Sequence, residues 1–346
     1  MIQSEDPDGH RAILAPIQLT DKPHFDALFA ALAQPISDYS FANTFIWGAP
    51  LKLYWARLHR HTCVFANGTG DLTLLMPPLP EPGAADADLR DCIRDCFDIM
   101  DAYNAKLGHR HASRIEYVSD ELLEHISAAG GLNLTVAPFA GDYIYDMNKM
   151  INLDGGALKS KRHARGKFMR ENPDHHAEPF DDAHIPACKA LLNQWRDHGD
   201  AAHLGEINEE QTGSDVLRQR DTLACCAALD QWHALGLTGM SLFVGDQLIG
   251  FTLGEAISPT QASIVIEKTD HRYDGSAQFI FSEFCRRYWS TYPECNVGDD
   301  WGIPSLRFTK SSYRPTRLLS KHTVTLVQPA QVFVPAPVIP ATNHAA

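Results

Sequence analysis

Apolar and polar positions along the chain alternate with two periods, near 2 and near 3.6, which mark strands and helices in turn. Residues 12–19 read as a first strand. Residues 22–33 read as a helix with Phe25, Leu28, Phe29 and Leu32 on one face and Pro23 near its start. Strand patterns follow at 51–58, 62–66 and 71–76, the last two joined through Asn67-Gly68-Thr69-Gly70. Pro77, Pro78, Pro80 and Pro82 then interrupt the chain. A long helix is predicted over 87–107, with Leu89, Ile93, Cys96, Phe97 and Met100 as its apolar stripe. A strand at 114–118, a helix at 121–129 ended by Gly130-Gly131, and closing strands at 132–138 and 143–147 complete this half. The aromatic-rich segment 37–47 has no clear period. It suits either packing beneath a loop or stacking on a ligand.

The second half begins with a basic helical stretch over 157–171, followed by a Pro/His/Asp-rich connection over 172–184. A helix is predicted at 186–197, with Cys188, Leu191, Leu192 and Trp195 inward, then a polar loop to 213. Ser214 reads as the N-cap of a helix over 215–235. Strands at 237–244 and 248–256 flank Gly245-Asp246-Gln247 as a hairpin, and a further strand follows at 261–267. A helix over 279–289, a second strand-like piece ending at Gly298 and a last strand over 323–327 finish the pattern. The expected organisation is α/β (α+β), each half a mixed central sheet flanked by helices. It comprises a flexible segment 1–11, a first domain 12–150, a basic helix and linker 151–184, a second domain 185–327 and a disordered Pro/Ala-rich tail 328–346.

The composition narrows the function. The chain has 346 residues, 44% hydrophobic and 21% charged, which suits two globular domains with their own cores. Its net charge of −13 disfavours general nucleic-acid or anionic-membrane binding, so any tRNA or lipid contact must use a local basic patch. The eight cysteines, at 63, 92, 96, 188, 225, 226, 285 and 295, contain no C-x-x-C pair and no zinc-ligand spacing. They read as reduced core thiols, and no metal is expected. The polar N-terminus lacks a secretory pattern, and no apolar run approaches the ~18 residues of a membrane helix. The expectation is a soluble, cytoplasmic protein.

Residues 264–315 hold most of the unusual polar groups. Ile264, Val265 and Ile266 suit a buried strand, and Glu267, Lys268, Thr269 and Asp270 stand where it ends. Glu267 at that depth suits a general base of raised pKa; equally, it suits an ordinary ion pair with Lys268 or an Arg. Arg272, Gly275 and Ala277 follow as R-x-x-G-x-A before a helix. Backbone N–H groups there would attract a phosphate, unless the turn is an ordinary one with a solvated Arg. Asp299 and Asp300 lie at the next strand end, as crevice carboxylates or as caps of the following turn. Arg307 and Lys310 adjoin at i and i+3, and Tyr313 closes that helix, placed either to donate to a leaving oxygen or to pack. Upstream, Lys159, Lys161, Arg162, Arg165, Lys167 and Arg170 put six cations within twelve residues. Such a run suits a solvated face or contacts to nucleic-acid or cofactor phosphates.

Paired strands followed by a glycine-started helix resemble the GNAT acyltransferase superfamily. The ordered set Asp142-Tyr143-Ile144-Tyr145-Asp146, the basic run, Ile266-Glu267-Lys268, Asp299-Asp300-Trp301-Gly302-Ile303, and Leu306-Arg307 through Lys310, Ser312, Tyr313 and Pro315 is more specific. Together these residues resemble the bacterial family named for the phosphatidylglycerol lysyltransferase C-terminal domain, over roughly residues 13–327. The resemblance implies two GNAT-like domains in tandem. It also implies transfer of an aminoacyl group from aminoacyl-tRNA, and a transfer site lined by Arg307, Lys310 and Tyr313. With them, the residues themselves nominate Glu267, Asp300 and Tyr313 as catalytic and Arg307, Lys310 and Lys268 as substrate-binding. The lipid-modifying relatives carry a large membrane portion, and no stretch of this sequence is expected to form one.

Three classes of function follow. The first is aminoacyl transfer from aminoacyl-tRNA to a lipid headgroup or small molecule, with no tightly bound cofactor. The second is an acyl-CoA-dependent N-acyltransferase using the Gly275 turn, and the third a non-catalytic binding module of the same fold. No local Ser–His–Asp or Cys–His arrangement is present, so direct transfer without a covalent intermediate is expected.

Overall fold

The computed structural model describes residues 2–5, 11–109, 111–201 and 209–327. The tail over 328–346, most of the loop expected before 209 and the side chain of Trp195 lie outside the described residues. The first half supplies β1 (Ile2–Glu5), β2 (Arg11–Pro16), α1 (Lys22–Leu32), α2 (Phe41–Ile46), β3 (Leu53–Leu58), β4 (His61–Ala66), β5 (Thr73–Leu74) and β6 (Leu79–Pro80). It continues through α3 (Asp86–Lys106), β7 (Ile115–Ser119), α4 (Asp120–Ala128) and β8 (Leu134–Asp146). The second half supplies α5 (Met147–Asn152), α6 (Lys159–Glu171), β9 (His175–Pro179), α7 (Ile185–Ala201), α8 (Glu209–Leu235), β10 (Thr238–Val244), β11 (Gln247–Ser258) and β12 (Gln261–Thr269). Last come α9 (Ser276–Tyr288), β13 (Glu294–Asn296), α10 (Pro304–Ser312) and β14 (Arg317–Leu326).

These strands form one mixed sheet in the order β1-β2-β3-β4-β5-β7-β14-β8-β13-β12-β11-β10-β9, with β6 beside β4. The expected hairpin is present, with Gly245 at φ 54 in its two-residue turn. After α9, β13 lies parallel to β12 and antiparallel to β8, so the sheet runs unbroken through both halves. One core packs the inward faces of α1 to α4 and takes in Leu191, Leu192, Ala228 and Leu229 from α7 and α8. A second core lies on the other face of β10 to β12, built by Met147, Met150, Phe168, Phe279, Ile280 and Phe284 of α5, α6 and α9.

Several expectations change. The segment 1–11 is not wholly flexible: Ile2–Glu5 pairs antiparallel with β2, which meets its backbone hydrogen-bonding groups. The two closing strands of the first half are one strand, β8. Its partner β14 runs beside it from Leu134↔Leu326 to Ile144↔Arg317 and keeps Gly141 extended. The strand expected over 71–76 shrinks to Thr73–Leu74. The connection over 172–184 contains the edge strand β9, whose polar side chains hid a pairing with β10. Ser214 lies inside α8, which begins at Glu209. The aromatic-rich segment holds the short helix α2, with the Ser40 hydroxyl accepting from the Asn43 N–H at 3.0 Å.

The final strand carries a buried cation. Lys321 is 1% exposed, and its ammonium meets Asp142 at 2.6 Å, Asp299 at 3.0 Å and Asp38. The carboxylates come from the segment before α2, from β8 and from the loop after β13. Asp142 also accepts from the Ser37 N–H at 2.6 Å and the Asn296 amide at 2.9 Å. Burial, against the pull of Lys321, pushes the Asp38 carboxyl up to about 7. Removing this cation takes the bonded counter-charge from three enclosed acids and leaves only Lys310 nearby among the described residues, and losing one partner costs roughly 3–5 kcal/mol in buried pairs. Lys321→Met is therefore expected to lose about that much stability in urea unfolding at neutral pH; a loss under ~1 kcal/mol would show that the cluster does not hold the fold.

Candidate functional site

The chemistry gathers where β12 ends against α6, α9 and α10. Leu253 pairs with Ile266 and Gly254 with Ile264, which leaves Val265 as an extra residue in β12. This bulge re-aims the strand. Val265 and Ile266 both join the first core, while Ile264 and Glu267 turn to the face that holds the second. Lys268 falls on the opposite face, where its ammonium bonds Asp221 of α8 at 2.6 Å. The sequence places Lys268 with Glu267 as a substrate-binding residue; strand alternation separates them.

Glu267 is half-buried, with one carboxyl oxygen enclosed and under-satisfied. Its Oε2 has no hydrogen-bond partner and no contact with solvent. Burial, slightly opposed by Lys268, pushes its carboxyl up to about 8. The Tyr313 phenol at the end of α10 is held well above its ordinary range, first by burial and next by the Glu267 charge. The Lys161 ammonium stands 4.5 Å from the centre of the Tyr313 ring, and burial draws its pKa below the usual lysine value. Tyr145 and Phe281 enclose Tyr313 at ring separations of 5.9 and 5.5 Å. Tyr313, at the end of α10, is thus the common neighbour: the Glu267 charge from β12 acts on its phenol, and the Lys161 ammonium of α6 lies over its ring.

Asp300, Arg307 and Lys310 make a second, adjoining group. The Asp300 carboxylate accepts from Tyr143 at 2.7 Å, from Arg307 at 2.9 Å and from the Gly302 N–H at 2.9 Å. Burial would raise its pKa, but the Arg307, Tyr143 and Gly302 bonds win and keep it low. Such a carboxylate orients neighbours and does not take up protons near neutrality. Lys310 donates to the Val297 carbonyl at 2.5 Å and to the Asp299 carbonyl, and burial pulls it down to about 8. Tyr143 and Tyr145, two apart on β8, link the groups: the first bonds Asp300, and the second donates to the Lys310 carbonyl at 2.8 Å. Neither tyrosine stands out in the sequence as a site residue; their i, i+2 spacing in Asp142-Tyr143-Ile144-Tyr145-Asp146 is the signal that marks them. Lys321 has no such signal: it stands between Ser320 and His322, outside the strand expected over 323–327, and reads as an ordinary surface lysine.

The glycine turn is filled by protein. Gly275 has φ 88, and a Cβ built there would lie 2.1 Å from the Ala164 carbonyl oxygen and 3.1 Å from the Phe168 side chain. Helix α6 therefore lies directly on the start of α9, with the Ala164 carbonyl against the glycine. Arg272 forms a fork with Asp270 at 2.5 to 3.0 Å, and Ala277 is half-buried in the first turn. The basic run serves partly as scaffold. Arg162 caps the Leu153 and Gly155 carbonyls after α5, and Arg165 bonds the Ile151 carbonyl at 3.1 Å and the Ser282 hydroxyl at 3.2 Å. Lys167 pairs with Asp274 at 2.8 Å, and Lys159 remains exposed. Beside α6 opens a cavity of about 220 Å³ lined by Ile151, Asn152, Arg165, Met169, Phe279 and Arg286. Among the described residues no helix is long and apolar enough to cross a membrane.

Comparisons with known proteins agree with this architecture. A family model described as phosphatidylglycerol lysyltransferase, C-terminal, matches residues 29–325. A conserved protein of unknown function from Bacteroides thetaiotaomicron shares 24% identity at a TM-score of 0.74, over 91% of this chain and 100% of that one. The C-terminal domain of a putative lysylphosphatidylglycerol synthetase from Agrobacterium fabrum shares 14% identity at a TM-score of 0.54, over 88% and 91%. The L-PGS structure from Bacillus licheniformis shares 12% identity at a TM-score of 0.56, over 93% and 92%. At these identities the likeness is one of fold.

Two outcomes test the geometry. Gly275→Ala forces a side chain into a left-handed backbone and against the Ala164 carbonyl. It should destabilise the protein by about 2–4 kcal/mol in urea unfolding; an unchanged midpoint would mean that α6 does not press on this turn. The raised Glu267 pKa sets a stability trend. Between about 4.5 and about 8 the unfolded carboxyl is ionised while the folded one keeps its proton, so the folded state binds more protons and stability falls as pH rises. Glu267→Gln should match the parent near pH 5 and exceed it near pH 9 by on the order of 4 kcal/mol, and equal stability of the two at pH 9 would refute the buried-acid assignment.

Proposed function

The chain belongs to the phosphatidylglycerol lysyltransferase C-terminal family, and from that membership we propose that it is an acyltransferase that moves an aminoacyl group from aminoacyl-tRNA to a lipid-headgroup or small-molecule acceptor. One observation carries the reading. Glu267, with its orphaned Oε2 and a pKa of about 8, acts on the Tyr313 phenol, whose ring carries the Lys161 ammonium on its face.

These groups match the steps of direct transfer. The acceptor amine or hydroxyl attacks the ester carbonyl while Glu267 takes its proton. Lys161 and Tyr313 stabilise the oxyanion of the tetrahedral intermediate. The ester C–O bond then breaks, and the leaving ribose oxygen regains a proton from Tyr313 or, through the site, from Glu267. No protein–acyl bond is needed. Asp300, Arg307 and Lys310 hold the loop and helix that carry Tyr313, which makes them positioning residues in this scheme.

The donor assignment rests on charge and space. Exposed Lys159 and the cavity flanked by Arg165 and Arg286 give a cationic surface beside Lys161, suited to the phosphates of a tRNA acceptor end. The turn at Gly275 is poorly suited to a coenzyme A pyrophosphate, because Ala164 covers it and Asp270 already holds Arg272. These facts favour tRNA over acyl-CoA.

Incubation with a host's charged tRNA pool and, separately, with acetyl-CoA tests the proposal. Consumption of one aminoacyl-tRNA is expected, with a rate that climbs with pH and levels off above about 8. Glu267→Gln should lower that rate by roughly 10²–10⁴-fold and remove the pH dependence. Consumption of acetyl-CoA with tRNA untouched would replace the donor, and inertness toward both would favour a binding module.

A further inference from the structure

We propose that Cys63, Cys92 and Cys96 form a three-coordinate site for a thiophilic closed-shell metal ion of the Cu(I) class, set between β4 and α3 in the first half of the molecule. The three residues have no local motif, since 29 positions separate Cys63 from Cys92. The fold assembles them. Cys92 and Cys96 stand four apart on α3 and so share one face, which packs on the face of β4 that presents Cys63.

The geometry suits a metal. The three sulfurs lie within 4.8 Å of one another, and Cys63 and Cys92 are in contact at 3.4 Å. An ion about 2.3 Å from each of three sulfurs at trigonal angles needs them about 4 Å apart, inside that interval. Small side-chain rotations close the triangle without moving the backbone.

The surroundings select the kind of ion. All three thiols are fully buried, so water is excluded as a further ligand. Among the described residues no histidine nitrogen or carboxylate oxygen joins the three sulfurs within the same distance. A purely sulfur, three-donor, dry site favours Cu(I) over hard cations and over Zn(II), which prefers four ligands. On binding, three sulfur–metal bonds form and three S–H protons pass to solvent, with no change in oxidation state. The ion would pin α3 to β4, far along the sheet from Glu267.

The test uses the full-length, reduced, metal-free protein under anaerobic conditions. Cu(I) is supplied as its acetonitrile complex, either by titration or by refolding from urea in its presence. One Cu per chain by elemental analysis, ultraviolet thiolate-to-metal absorption and a Tm raised by several degrees are expected. Cys63→Ser and Cys92→Ser should each weaken binding at least 100-fold, while Cys285→Ser, outside the cluster, should leave it unchanged. Circular dichroism on each variant separates lost binding from lost folding, and the parent result stands independently of them. No stoichiometric binding by either route, equal retention in all three variants, or tighter binding of Zn(II) than of Cu(I) would each overturn the assignment.

Discussion

A single ammonium on the last strand holds the two halves of this molecule in register. Lys321 reaches Asp38, Asp142 and Asp299, three carboxylates that belong to the first half, to the shared strand β8 and to the loop beside the site. One positive charge cannot offset three negative ones at low dielectric, and the cluster adjusts. Asp38 is pushed up to about 7, chiefly by burial, while Asp142, buried too, is kept low by Lys321 and by its bonds from Ser37 and Asn296. The arrangement tolerates burial because every acid has a named donor. Without β14 between β7 and β8 the Lys321 ammonium is gone from this point, and the loop that presents Asp300 keeps its bonds to Lys310 and Arg307.

The site inherits its shape from that frame. Asp299 is tied to Lys321, and its neighbour Asp300 is free to face Tyr143 and Arg307. Tyr145 fixes α10 through the Lys310 carbonyl, and α10 in turn delivers Tyr313. The bulge at Val265 delivers Glu267 to the same place from the other side of the second core. Helix α6 closes the remaining side with Lys161, and Gly275 lets α6 and the start of α9 approach backbone to backbone. Burial then brings the Glu267 carboxyl and the Lys161 ammonium closer to neutrality.

Much of the fold was legible from period alone. The helices over Lys22–Leu32, Asp86–Lys106 and Asp120–Ala128 and the hairpin around Gly245 have strong local signals, namely apolar stripes, capping residues and a turn that needs positive φ. Glu267 and Tyr313 were legible as candidates because a polar residue at a buried strand end and an aromatic at a helix end stand out against their neighbours. The basic run misled in part. Arg162 and Arg165 read as open to phosphate, yet each finds backbone carbonyls around the end of α5, a partner no spacing rule reveals.

The sequence by itself determined most element types, the α/β class and the family, because these depend on local periodicity and on residues close together in the chain. Tertiary structure alone decided which of those residues meet. The placement of β14 in the middle of the sheet, the split of Glu267 from Lys268, the covering of Gly275 and the gathering of Cys63 with Cys92 and Cys96 all join positions distant in sequence. Each depends on strand register and helix packing, and neither is encoded in any single window of residues.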